Sequence, residues 1–364
     1  MTIRDLSDPD GRPHAMQPLL QGIIDALCHE WAVPGRIVRH SPLVSVADNY
    51  DRLGFNASDV TRDQRYSRYL SPTVMLRSHT SASIPSQLRA LDDDASTDEL
   101  WAVPGLVYRR DCVDRTHVGT PHQVDLWRVS SLERLDAENL QDMIGSLVKA
   151  VLPGARWRAV PAVHPYTREG LQVDVLMEGE WLELAECGLM APHLFSEAGL
   201  DPTRWSGLAL GMGLDRALML RKGIPDIRLL RSTDERIEQQ MLDLSRWKPV
   251  SQMPSIRRDI SIVVPADMDT EVLGDRVRTA LGEKAEDLES VELLALTSYG
   301  DLPVKAQERL RICDGQANAL IRLVLRPLAR TMTDAEANQI RDDVYLALHE
   351  GPVRELIAGQ NRTN

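Results

Sequence analysis

Val107-Tyr-Arg-Arg-Asp-Cys-Val-Asp-Arg-Thr-His-Val-Gly-Thr-Pro-His-Gln-Val-Asp125 places an arginine (Arg109), an acid (Asp111), a histidine (His117) and the pair Gln123/Asp125 in one hairpin-like segment. The chain supplies a matching piece far downstream, Gly211-Met-Gly-Leu-Asp-Arg216. One arginine ends a strand, and a second opens a helix after glycines that let backbone approach closely. Taken alone, an arginine at a strand end is usually a surface ion pair, and Gly-x-Gly before a helix is common. Their joint order and spacing, with polar side chains between them, suit a nucleoside triphosphate.

Strand pairs surround these pieces. Leu106–Val113 and His122–Val129 read as one pair, and Leu171–Met177 and Trp181–Leu189 as another with Gly179 in its turn. Asp136 is an N-cap for a helix carrying Leu140, Ile144, Leu147 and Val151. His14 to Trp31 has helical apolar spacing, Pro85 to Leu91 reads as a short helix, and Asp92–Glu99 reads as a solvated acidic loop. A short strand Leu208–Leu210 precedes a helix from Asp215 to Arg221. Composition shifts near Trp247. Strand 258–264, helix 270–282, strands 288–298 and 317–325, and helix 332–349 follow, the last with a Thr333/Glu336 capping box. The reading is an α+β chain: an antiparallel sheet flanked by helices over residues 1–235, a linker at 236–248, and a split βαβ unit over 249–364.

The chain has 364 residues, enough for two or three domains. Four dispersed cysteines without a CxxC pair argue against a disulfide framework or zinc site and suit a reducing cytoplasm. No apolar run is long enough to span a bilayer. The net charge of -12 argues against indiscriminate nucleic-acid binding.

Activation of a carboxylate by ATP needs charge on the triphosphate, a place for adenine, and a carboxylate held near the α-phosphate. Arg109 can bind the α-phosphate and the attacking carboxylate in a bidentate way. Arg216 can lie on the γ-phosphate or over adenine, and His117 can contact the β- and γ-phosphates. Glu183 is a candidate ligand for Mg²⁺. Such chemistry needs positioning and charge stabilisation, and no covalent nucleophile from the protein.

Met75-Leu-Arg-Ser-His-Thr-Ser81, Val107-Tyr-Arg-Arg-Asp with Thr116-His and His122-Gln, Trp181-Leu-Glu-Leu, and Gly211 to Arg228 resemble the catalytic subunit of phenylalanyl-tRNA synthetase, a class II aminoacyl-tRNA synthetase. The tail resembles its ferredoxin-like anticodon-binding domain through Pro249–Ser261 and Arg330-Thr-Met-Thr-Asp334, the layout of the single-chain organellar enzyme. The resemblance implies ATP and Mg²⁺ as cofactors, and an amino acid and a tRNA as partners. It makes Arg109 and Arg216 the motif 2 and motif 3 arginines, Asp111 an acidic companion and His117 a triphosphate contact. His79, Ser81, Gln123 and Asp125 would face the amino acid, Asp125 able to hold its α-ammonium group, with Ala209 at the pocket floor. Arg257, Arg258, Arg326 and Arg330 form a candidate track for tRNA phosphates. The region from residue 246 to 351 nonetheless holds 14 Lys and Arg against 18 Asp and Glu. Motif 1 resemblance in helix 14–31 and near Pro42 suits a homodimer, and the single-chain relatives suit a monomer equally.

The chain departs from the family in the pocket. Two ring-packing phenylalanines become His164 and Tyr166, the adenine-stacking phenylalanine becomes Pro121, an acid becomes Arg168, and a glycine becomes Glu186. His164, Tyr166 and Glu186 could read a polar or cationic side chain, because polar walls forfeit the roughly 1.5–3 kcal/mol that burying a phenylalanine side chain provides. Three functions follow: a phenylalanine–tRNA ligase-like enzyme, a paralogue activating another amino acid for a specialised acceptor, or an inactive relative that binds tRNA or a partner.

Overall fold

The computed structural model describes residues 3–110, 114–250, 253–328 and 330–353. The strands, in chain order, are β1 (Gly35–Ile37), β2 (Leu43–Ser45), β3 (Arg68–Tyr69), β4 (Val74–Leu76), β5 (Asp98–Leu106), β6 (His122–Ser130), β7 (Trp157–Pro161), β8 (Thr167–Met177), β9 (Glu180–Met190), β10 (Ser206–Gly213), β11 (Ile256–Pro265), β12 (Leu288–Ser298) and β13 (Gln316–Leu325). The longer helices are α1 (Met16–Trp31), α2 (Ile84–Arg89), α3 (Ala137–Val151), α4 (Pro192–Ala198), α5 (Leu214–Lys222), α6 (Thr270–Leu281), α7 (Val304–Leu310) and α8 (Asp334–Leu348). Among the described residues, no helix is long and apolar enough to cross a membrane.

Two compact units emerge. The first comprises residues 1–109, 120–230 and 238–248; the second comprises 110–119, 231–237 and 249–364. The first is built on a seven-stranded sheet of order β1-β5-β6-β10-β9-β8-β7, antiparallel except where β1 runs parallel to β5. A small sheet β2-β4-β3 stands beside it. Helix α1 buries Leu19, Leu20, Ile23, Ile24 and Leu27 along one stripe, as its spacing predicts. It packs on α3, whose start carries a reciprocal capping box between Asp136 and Asn139.

The first predicted strand pair is displaced. Its leading strand is Asp98–Leu106, not Leu106–Val113, so the acidic run ends inside the sheet, where Arg128 donates to Asp98 from Nε at 3.0 Å and Nη2 at 2.8 Å. Pro104 is tolerated because β1 pairs only with Leu100–Ala102, leaving no neighbour on that side to need its missing N–H. β10 extends beyond the short strand expected, and β7 and α7 were not anticipated.

In the second unit, β11-β13-β12 form an antiparallel sheet. Ile260, Ile262 and Val264 from β11, with Ala319, Ile321 and Leu323 from β13, bury one face in a core shared with Leu273 and Val277 of α6 and Ile340 and Val344 of α8. The Thr333/Glu336 capping box opens α8 as expected.

Candidate active site

Strand register sets the site. Directly opposed residues share a face of a sheet. Val103, Asp125, Gly211, Glu186 and Gln172 therefore form one row across β5, β6, β10, β9 and β8. One step along lie Gly105, Gln123 and Gly213; one step the other way lie Trp101, Trp127, Ala209 and Gly188. The aromatic end of this face is closed by a core that includes Ile84, Leu88, Leu194 and Phe195. The glycine end stays low, and there the polar side chains collect.

Asp125 is 1% exposed. Ser81 Oγ donates to its Oδ1 at 2.7 Å, Trp127 Nε1 to the same oxygen at 3.1 Å, and Thr80 Oγ1 to its Oδ2. Burial still pushes its carboxyl up. Gln123 Oε1 is buried and makes no hydrogen bond among the described residues. Gly211 separates these groups from Glu186, and a Cβ placed there would sit 3.3 Å from Gln123 Nε2 and 3.8 Å from Asp125 Oδ1. Ala209 is buried beneath Trp127, its register partner.

The predicted pocket walls do converge. Tyr166 stacks on Trp127 with ring centroids 5.8 Å apart, and His164 stacks on Tyr166 at 5.8 Å. Burial, then Asp125 and Glu186, push the Tyr166 phenol up. The His164 side chain is 9% exposed and its Nε2 lies 3.4 Å from Glu186 Oε2. His164, burial and Arg109, in a balance that favours the anion, hold the Glu186 carboxyl below its ordinary value. His79 stacks on Phe55 at 5.6 Å, and burial and Arg109 lower its pKa to about 4. Arg109, bridged to Ser67 just beyond β5, is near enough for its charge to lower the pKa of both His79 and Glu186.

Phe55 and Trp127 are pocket residues that sequence reasoning passed over. Trp127 was open to detection, because it stands two residues after Asp125 on the same strand face. Phe55 comes from a turn with no periodic signal.

Arg216 begins on the first turn of α5, directly after Gly211-Met-Gly213. Its neighbour Asp215 is a third residue whose part was not foreseen. Asp215 Oδ2 accepts from the His122 backbone N–H at 2.5 Å, and His122 Nδ1 lies 3.0 and 3.1 Å from the two carboxylate oxygens. His122 Nε2 accepts from the Leu6 N–H at 2.8 Å, so Nδ1 carries the proton shared with Asp215. Motif-like ends of β6 and α5 are locked together through this fully buried imidazole.

Glu183 is exposed. A register shift after Val173 returns it to the face of Glu186, opposite Asp174, whose Oδ2 already accepts from Arg158 Nε at 2.9 Å. Pro121 is half-buried at the entry to β6, its carbonyl accepting from Val107 N–H at 2.9 Å. Asp111 lies outside the described residues. His117 belongs to the second unit, where its Nδ1 is 2.8 Å from Asp114 and lowers that carboxyl.

Among the four arginines proposed for tRNA, Arg257 is exposed on β11. Arg258 donates to Asp334 at 2.6 Å, Arg330 to Asp287 at 2.6 Å and to Glu336 at 2.9 Å, and Arg326 to Glu289 and to the Met253 carbonyl.

Residues 13–241 match the family model described as tRNA synthetases class II core domain (F). The chain is 35% identical over 233 residues to a phenylalanine–tRNA ligase alpha subunit of Prochlorococcus marinus (strain MIT 9313), covering 64% of the chain and 67% of that protein. It is 28% identical to a chloroplastic/mitochondrial phenylalanine–tRNA ligase of Arabidopsis thaliana, over 85% of the chain and 71% of the relative. To a probable mitochondrial phenylalanine–tRNA ligase of Drosophila melanogaster it is 25% identical, over 84% and 76%.

Proposed function

From the premise that the chain belongs to the class II tRNA synthetase core family, we propose that it is a phenylalanine–tRNA ligase-type enzyme: it forms an aminoacyl-adenylate from ATP and an amino acid and passes the acyl group to tRNA. One observation carries this reading. Gln123, Asp125 and Glu186 gather on one face of the sheet around Gly211 and Gly213, and the charge of Arg109 bears on both Glu186 and His79, which puts a cation able to bind in a bidentate way near polar groups suited to a zwitterion.

The amino-acid carboxylate attacks the α-phosphorus of ATP, the new C–O–P linkage forms, and pyrophosphate departs with the electrons of the broken P–O bond. Arg109 orients the carboxylate and offsets charge on the α-phosphate, and Arg216 at the start of α5 does the same farther along the triphosphate. Bound Mg²⁺ would neutralise triphosphate oxygens, and Glu183, an exposed carboxylate on this face, would hold it as an oxygen donor of the kind that ion prefers. His117 and Asp111 are assigned to the triphosphate by resemblance, and Pro121 to the adenine side. Transfer to the terminal ribose needs the 2′- or 3′-hydroxyl to displace the adenylate from the acyl carbon, and the second unit is assigned to hold the tRNA. The free thiols of Cys28, Cys187 and Cys313 support a reducing, cytoplasmic setting.

A second reading has its own support. His164, nine-tenths buried against Tyr166 and beside Glu186, makes the side-chain wall polar, which favours a polar or cationic amino acid over phenylalanine. Amino-acid-dependent ATP–pyrophosphate exchange, run with each of the twenty amino acids, separates the two. Exchange with phenylalanine that Arg109→Ala reduces at least about a hundredfold supports the first reading. Exchange only with another amino acid establishes the second, and none with any amino acid overturns both.

A further inference from the structure

The charged run 59–69 buries one side chain, that of Ser67, which is 4% exposed. Ser67 is also the residue that Arg109 meets in an isolated antiparallel bridge. Directly opposed residues of such a pair hold their Cβ atoms about 5 Å apart. Whatever fixes Ser67 therefore limits where the Arg109 side chain can start.

A chain of buried hydroxyls fixes it. Ser67 Oγ is hydrogen-bonded to the Tyr50 phenol, and the Thr61 carbonyl lies 2.8 Å from Ser67 Oγ and 2.7 Å from Tyr50 Oη. Tyr50 is fully buried, its ring edge-on to Phe55 at 5.4 Å and beneath the Arg62 guanidinium at 5.1 Å. Its Oη also accepts from Ser78 Oγ at 3.4 Å. Asn49 completes the chain: its Nδ2 donates to Ser78 Oγ at 2.8 Å, and its Oδ1 accepts from the Ser78 N–H at 3.2 Å. Ser78 directly precedes His79, so one network joins the two pieces of backbone that carry His79 and Arg109. A second tie runs alongside, from the Tyr108 N–H to the Arg77 carbonyl at 2.8 Å. Satisfied buried networks rigidify the groups they join. Packing alone accounts for a large ring at position 50, but it has no use for the hydroxyl.

We infer that Tyr50 is a positioning residue for amino-acid activation: through Ser67, its hydroxyl sets the Arg109 guanidinium against the reacting carboxylate and the α-phosphate. This inference rests on the reading of Arg109 as the arginine that binds both groups. Tyr50 acts only through Arg109, since its own hydroxyl is occupied by Ser67, Thr61 and Ser78.

Tyr50→Phe tests it, because the ring stays and the Thr61 carbonyl keeps Ser67 as a donor. Two readouts are taken: the maximal rate of ATP–pyrophosphate exchange in a mixture of the twenty amino acids, and calorimetric binding of ATP. Tyr50→Phe should lower the rate about tenfold. In an Arg109→Ala background it should add less than about twofold, because the residue it positions has gone. Ser67→Ala cuts the same link from its other end and should show the same loss and the same lack of additivity. Tyr69→Phe is the control: it deletes a hydroxyl of the same run, the one donating to the Arg62 carbonyl at 2.7 Å, and should keep the wild-type rate. The inference is overturned if Tyr50→Phe and Ser67→Ala keep the wild-type rate, if their effects multiply with that of Arg109→Ala, or if Tyr69→Phe loses as much. Absent exchange in the wild-type chain would overturn amino-acid activation, and ATP affinity then decides the positioning. Tyr50→Phe and Arg109→Ala should together weaken ATP no more than Arg109→Ala alone; independent effects, or no binding of ATP at all, overturn the positioning as well.

Discussion

At the scale of single residues, burial decides which polar groups are free to act. Asp125 was legible as a candidate site residue from its place after Gln123. The ring of donors around it was not, because Thr80 and Trp127 carry no motif of their own. Gly211 gives the sharpest residue-level test. A Cβ there fits only if the Gln123 amide shifts by a few tenths of an ångström, so Gly211→Ala should keep its melting temperature within a few degrees. It should raise the KM for the amino acid about tenfold while leaving that for ATP in place, which exchange kinetics at varied concentrations of each substrate would reveal. The buried histidines make a second prediction. Burial lowers the pKa of His14 and of His79 to about 4. Between about pH 6.5 and 4 the unfolded chain binds protons at these positions that the folded chain refuses. Stability is therefore present above pH 6.5 and falls as pH drops, by up to about 1.4 kcal/mol per residue for each pH unit of that window. Replacing His14 with Gln should flatten the decline of melting temperature between pH 6.5 and 4.5, and an unchanged slope would contradict it.

Elements were legible where one periodicity or one cap ruled them. Asp136 announces α3, and Asp136→Ala should lower its stability by about 1 kcal/mol in urea titration, since the carboxylate that accepts from the Glu138 and Asn139 N–H groups disappears. The Asp98–Leu106 strand was misread because the acidic run Asp92–Glu99 spoke for a loop. Tertiary pairing overrode that signal: Arg128 answers Asp98, and the edge position beyond β1 accommodates Pro104. The joint between β6 and α5 belongs to this scale too. His122 ties Asp215 to the Leu6 backbone, and neither sequence neighbourhood reveals the partnership, which spans 93 residues. If that joint sets the direction of Arg216, His122→Ala should raise the KM for ATP by about tenfold or more relative to that for the amino acid. The same substitution in an Arg216→Ala background should then add little, because the residue it positions has gone. Additive effects in the double variant would confine His122 to fold stability.

For the molecule as a whole, charge is the variable that composition measures and placement decides. The excess of acid over base in residues 246–351 comes with internal pairing: Arg258, Arg326 and Arg330 are each engaged by a carboxylate of the second unit. A phosphate backbone would have to compete with those carboxylates. The four arginines therefore divide by role, a division that a count of charges could not show. Arg257, exposed on β11, is the one suited to a direct phosphate contact, and Arg257→Ala should weaken tRNA binding about equally for different tRNA sequences and reduce the slope of log affinity against log salt by about 1. Arg326→Ala should act chiefly on folding, lowering stability by about 1–3 kcal/mol, because it removes a partner of Glu289, which is 4% exposed, and a donor to the Met253 carbonyl. Filter binding of one tRNA across a salt series, set beside urea denaturation of both variants, separates the roles. A loss of salt slope in Arg326→Ala with unchanged stability would reverse the assignment and make the paired arginines the phosphate track.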